Sequence, residues 1–196
     1  MFANRFTALV DACALAGALK RNLILTLAEA EFFRLRWSGS ILDETQRAIA
    51  EILEKKGADG PDDQAARARA FMEQAFEEAM VSDFDSFLCA CKGLPDPDDA
   101  HVIAAALKTR AEIIVTDNLK DFPADLLAPL NLDVRSSDAF IADAIALDPG
   151  KAVAAIKRMR LRFKKPEKTP DLLLLDMEAS GLVETVDMLR PYTASL

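Results

Sequence analysis

Residues 94–122 read LPDPDDAHVIAAALKTRAEIIVTDNLKDF, and their pattern decides the fold. A burst of carboxylates leads into an apolar helix pattern, then into a short β-branched strand that ends in further carboxylates. Asp96 is a good N-cap, Pro97 suits the first helical position, and Asp98 and Asp99 follow in the first turn. At about 100° per residue, Val102, Ile103, Ala106 and Leu107 form the apolar face. Asp99 lies within that face, whereas Asp98 points away toward solvent. Capping alone accounts for such a helix start, because an acid at the third position bonds back to the cap and complements the helix dipole. An inward carboxylate is still costly unless a cation or donors meet it. Similar acids recur along the chain.

Upstream, Phe6–Val10 (FTALV) is an apolar run of strand formers that Asp11 terminates. A helical segment follows with Leu19, Leu23, Leu27 and Ala30 on one face. Downstream, Ile113, Ile114 and Val115 read as a buried strand closed by Thr116 and Asp117. Strands alternating with helices predict an α/β fold, a three-layer α/β/α sandwich around a mostly parallel sheet. Sites in such sheets lie beyond the carboxyl ends of the strands, where Asp11 and Asp117 fall. The plainer reading of each is a loop aspartate capping the next helix. Residues 40–55 form an amphipathic helix, capped by Ser38 or Ser40, with Ile41, Thr45, Ala48, Ile49, Ile52 and Leu53 inward. Glu44 sits at the margin of that arc, and Asp43 lies further toward solvent.

Inward acids at one sheet edge suit hard divalent cations, Mg²⁺ or Mn²⁺, and His101 and the cysteines form no zinc pattern. Two such ions roughly 3.5–4 Å apart activate water and stabilise the leaving oxygen of a phosphodiester.

Four segments carry a family resemblance: LVDACAL at 9–15, RWSGSILDE at 36–44, LPDPDDAHVIAAA at 94–106 and IVTDNLKDFP at 114–123. In order and spacing they resemble the PIN-domain family, within it the VapC-like toxin group, over most of the chain. The tail also resembles the extension of one bacterial subgroup. The resemblance implies a metal-dependent endoribonuclease, often dimeric, held inactive by a cognate antitoxin protein. By position it implies that Asp11, Glu44 and Asp99 supply the first three acids of a catalytic metal site. Where many PIN domains carry the fourth acid, this chain has Asn118, and the subgroup's Asp-Phe pair assigns that role to Asp121. Asp117 is an additional acid, and which of Asp117, Asn118 and Asp121 completes the site stays open. Thr116 and Asn118 would orient ligands or water through hydrogen bonds.

Composition agrees with this reading without suggesting it. At 196 residues the chain supports one domain with an appendage, here a nuclease domain over 1–147 and a helical extension over 148–196. The net charge of −8 is unusual for an RNA binder. Charge is uneven, however. Residues 151–168 hold eight Lys or Arg against one Glu, so Arg158, Arg160 and Arg162 are candidates for contact with RNA or an acidic partner, or for a solvated helix face. Three cysteines without a framework fit a reduced, cytoplasmic protein, and Cys13 reads as a small core residue. Arg5 precedes an apolar stretch, but Asp11 interrupts it and Lys20 and Arg21 follow, which excludes a signal peptide reading. No segment suits a membrane span. His101 reads as a surface residue beside Lys108.

Remaining expectations concern punctuation. GADGPDDQ at 57–64 is a turn, a charged helix follows over about 63–80, and Asp83 to Lys92 is a short helix. LNLDV at 130–134 is an edge strand, and helices begin near Ser136 or Ser137, after Asp148–Gly150 and at Thr169–Pro170. Two rival functions remain. An aspartate-nucleophile phosphatase or phosphotransferase would use Asp11, but its usual second aspartate is Cys13 here. A catalytically inert PIN-fold binding module is the other.

Overall fold

The apolar runs become the buried strands of one parallel sheet. The computed structural model describes residues 6–91, 93–164 and 166–196. In chain order the elements are β1 (Thr7–Val10), α1 (Ala12–Ala16), α2 (Ala18–Glu29), β2 (Arg34–Ser38), α3 (Gly39–Lys55), α4 (Pro61–Ala75) and β3 (Met80–Val81). Then come α5 (Ala100–Thr109), β4 (Ile113–Val115), α6 (Ala124–Leu127), β5 (Asp133–Arg135), α7 (Ser137–Leu147), α8 (Pro149–Arg162), α9 (Pro170–Ala179) and α10 (Val183–Leu189). Two compact units result: the chain through Gly17 together with Arg34–Arg135, and Ala18–Phe33 together with Ser136–Leu196.

Among the described residues, the first unit holds all the strands, ordered β3-β2-β1-β4-β5 and all parallel. β1 is central and wholly buried. Strands 2 and 3 extend the sheet on one side of it, and strands 4 and 5 on the other. The β1/β4 boundary is therefore the switch point at which such sheets open a crevice. Register there pairs Val10 with Val115, which brings Asp11 and Thr116 level at the carboxyl edge. Ser38 caps α3 by accepting from Ile41 N at 3.2 Å, as expected. The fold class is the expected α/β, PIN-like one, with further helices following the sheet in the chain.

Several local expectations are corrected. The charged helix stops at Ala75, because Phe76 leaves helical geometry (φ −137°, ψ 58°). Its ring packs edge-on to buried Trp37 at 6.0 Å, and the chain goes on to form β3 instead. The edge strand β5 starts three residues late, since Asn131 (φ 55°) ends the preceding turn in the left-handed region. The short helix expected within 83–92 is a 3₁₀ helix over Asp85–Ala90, and Lys92 lies outside the described residues. Asp96 does cap, accepting from Asp98 N at 2.9 Å, but what it caps is a 3₁₀ turn, Pro97–Asp99; regular helix begins at Ala100.

The second unit is helical. Leu23, Ile24 and Leu27 of α2 are fully buried, as are Ile141 and Ile145 of α7, Ile156 of α8 and Met177 of α9. Phe33 meets Phe140 edge-on at 4.8 Å. Capping defines the helix starts: Asp148 accepts from Lys151 N, Thr169 from Leu172 N, and Asp138 from the amides of Glu184 and Thr185. Among the described residues, no helix is long and apolar enough to cross a membrane.

Candidate active site

Asp11 is the anchor of the site. It terminates β1, its amide bonds Val115 O at 2.9 Å, and only 6% of its surface is exposed. Burial of a carboxylate demands donors, and three are supplied. Ala12 N donates to Oδ1 at 2.7 Å, the Thr116 hydroxyl to Oδ2 at 2.8 Å, and the Cys13 thiol to Oδ2 at 3.2 Å. Cys13 is thus not simply core. Its Sγ stands 3.0 Å from Thr116 Oγ1 and accepts from Asp117 N at 3.1 Å, stitching the ends of β1 and β4 together. Burial, then the charge of Asp11, push its thiol up to about 12, so it stays a protonated donor.

Thr116 is fully buried and also accepts from Asn118 N at 3.1 Å. The Asn118 side-chain amide donates to Asp121, which sits in the 3₁₀ turn Leu119–Asp121. Asn118 therefore orients the acid three residues on. Asp117 is exposed.

Asp99 is the electrostatic focus. It occupies the N-cap position of α5, yet its carboxyl makes no capping bond. It is half-buried while its neighbour Asp98 is exposed, which is the asymmetry expected. Burial first, then the charges of Asp11, Asp96 and Asp121, raise its pKa to about 6; His101 opposes the shift. Asp99 thus feels both Asp11 and Asp121. Asp96 joins them, a contribution that its capping role hid in the sequence.

Glu44 enters through His101. Imidazole Nε2 lies 3.1 Å from Glu44 Oε1, and the histidine side chain is only 17% exposed against 36% for the glutamate. His101 is therefore not a surface residue. The helix wheel placed it opposite the apolar face of its own helix, but α3 supplies the polar cover there. Burial lowers its pKa, but the hydrogen bond and charge of Glu44, with the charges of Asp11 and Asp99, outweigh that and leave it raised. Asp43, as expected, faces out, where it pairs with Arg69.

Among the described residues, no three His, Cys, Asp or Glu side chains stand together as a ligand set for one ion. The donors nonetheless fit a hard divalent cation: they are carboxylate oxygens, and Asp99 is desolvated and crowded by the charges of Asp11, Asp96 and Asp121, which a bound cation would offset. Of the tail arginines, Arg160 is half-buried and donates to Lys168 O, Arg162 lies 3.4 Å from Glu29, and Arg158 is exposed.

Residues 7–120 match the PIN domain family, and residues 137–191 match the VapC50 C-terminal domain. A protein of Mycobacterium tuberculosis named "Putative ribonuclease VapC50" is 42% identical over 76 residues, which cover 39% of this chain and 45% of that protein. The chain thus matches under half the length of that curated relative. No solved structure matches. The PIN match covers more than half of the chain, from β1 into the turn after β4; it includes Asp11, Glu44 and Asp99 and ends one residue before Asp121. The chain belongs to the PIN domain family.

Proposed function

We propose that the chain is a Mg²⁺- or Mn²⁺-dependent endoribonuclease that cleaves RNA phosphodiester bonds, acting as the toxin of a toxin–antitoxin pair. One observation carries the reading: a half-buried Asp99 that caps nothing, in a field of like charge at the sheet's switch edge. Structural carboxylates are ordinarily paired or solvated. This arrangement opposes folding of the metal-free protein, which makes sense where a cation is part of the working state.

Asp11, Glu44, Asp99 and Asp121 would hold the metal. When bound, it supplies Lewis-acid activation of water and neutralises charge building on the phosphate. The chain's own groups orient the acids. Thr116, Cys13 and the Ala12 amide hold Asp11, and Asn118 holds Asp121. The ribonuclease name of the M. tuberculosis relative supports RNA as substrate. VapC-like proteins imply a cognate antitoxin as partner and allow a homodimer; both are proposed here on that kinship.

The test is cleavage of a structured RNA by protein freed of contaminating nuclease. Cleavage should require added Mg²⁺ or Mn²⁺ and stop with chelator. Undiminished cleavage in EDTA refutes the mechanism. A second reading, an inert binding module, draws on the fact that Asp11, Glu44 and Asp121 already accept hydrogen bonds from protein donors. Thermal melts with increasing Mn²⁺ separate the two, since an inert module need not be stabilised by the ion.

A further inference from the structure

We propose that His101 is a positioning residue for Glu44, holding that carboxylate toward the other acids. The inference rests on the nuclease reading above. His101 lies on α5, in the turn after Asp99, and Glu44 lies on α3, so their contact joins the helices that carry the second and third acids. A carboxylate can only accept, so the proton of the 3.1 Å bond sits on Nε2 of His101. Nδ1 is buried and has no hydrogen-bond partner among the described residues. The imidazole therefore spends its one engaged nitrogen on Glu44.

Redundancy separates this acid from the first. Asp11 has three donors on two oxygens, so losing one leaves it held. Glu44 has His101 alone as a hydrogen-bond partner among the described residues. Glutamate has one more rotatable bond than aspartate, and the side chain here is 36% exposed, so a freed Glu44 would sample several rotamers in water. Groups that orient a metal-ligating side chain typically contribute 10–100-fold in metal affinity. His101 would supply that contribution without touching metal or substrate.

The experiment uses the full chain and Mn²⁺ alone as probe, with free ion read by electron paramagnetic resonance. His101→Phe keeps the ring's bulk and removes the donor; His101→Gln restores a donor from a side-chain amide. Phe should weaken Mn²⁺ binding by roughly tenfold or more, with RNA cleavage falling alongside, and Gln should recover most of both. In a Glu44→Ala background, His101→Phe should change Mn²⁺ affinity no further, a coupling that a packing role would not produce. Wild-type Mn²⁺ affinity in His101→Phe, or equal loss in the Phe and Gln variants, overturns the positioning role while wild-type binding and cleavage leave the nuclease reading standing. Wild-type protein that neither binds Mn²⁺ nor cleaves RNA brings down both. Should His101→Phe fail to fold, the Gln variant decides: an affinity reduced to the level of Glu44→Ala overturns the proposal.

Discussion

The acids of the sheet unit and the bases of the helix α8 are held in opposite ways. In the sheet unit, Asp11 and Asp99 are drawn into partly desolvated positions, close enough that Asp99 is raised to about 6. In the helical unit, α8 carries five Lys or Arg and no acid, and Lys151, Lys157, Arg158 and Arg162 are all exposed. Like charges in water cost little, because solvent and salt screen them. Like charges that are desolvated cost far more. The acids therefore call for a cation, whereas the bases merely permit an anion.

The sharpest way to break this contrast is to neutralise one acid of an adjacent pair. Asp99→Asn should abolish RNA cleavage and weaken Mn²⁺ binding, while exposed Asp98→Asn leaves both near wild type. Asn is nearly isosteric and can still serve at a helix start, so the substitution removes charge more than shape. Stability supplies an independent sign. The pKa of Asp99 lies above its ordinary 3.8 at about 6, so the folded form holds this proton more tightly than the unfolded chain does. Stability is thus lost as pH rises through that window, and the full penalty is present above it. Asp99→Asn should raise the melting temperature of the metal-free protein at neutral pH, and that gain should vanish below 3.8. Equal effects at the two aspartates would remove Asp99 from the proposed site.

A smaller effect tests how the desolvated acid is held. Thr116→Val keeps the side-chain shape but removes the hydroxyl that donates to Asp11 and accepts from Asn118 N. Groups left without partners in a buried site cost about 1–3 kcal/mol each. Denaturant unfolding should show a loss of that order, with Mn²⁺ affinity reduced but not abolished because Ala12 N and Cys13 still hold Asp11. Unchanged stability and affinity would show that this network is incidental.

The contrast also explains what could be read from the chain. Val10–Asp11 and Val115–Thr116 were legible because a buried apolar run ending in polar residues marks both a strand and its carboxyl edge. The outward Asp98 and inward Asp99 followed from helical phase. β2 also carries a strand signal in the sequence: Leu35 and Trp37 are buried and alternate with Arg34 and Arg36 at strand period. His101 was misplaced because phase describes one helix, and the partner that buries it, Glu44, arrives from another. Cys13 was misread for a related reason, since its role depends on Thr116, 103 residues away. Contacts between elements distant in sequence set both roles.

The smallest expected effect lies in α8, where the sequence offered three arginines as equivalent and the structure separates them. Arg160 is half-buried and tied to the Lys168 carbonyl, so reversing its charge should mainly reduce stability. Arg162 lies 3.4 Å from exposed Glu29, a pairing in water that contributes little. Arg158 is exposed and has no hydrogen bond or ion pair among the described residues, so of the three it has no protein partner to give up to an incoming phosphate. If α8 contacts RNA, Arg158→Glu should weaken RNA binding modestly and uniformly across sequences, and lower the slope of log affinity against log salt by about one. Mn²⁺ affinity should not move, because the acids answer to their own desolvated field. Binding of wild type and Arg158→Glu, measured in a salt series in Ca²⁺ with cleavage checked on the same samples, reads that slope. An unaltered slope would mark α8 as a solvated face or a surface for an acidic protein, and the basic helix would then have no part in holding substrate.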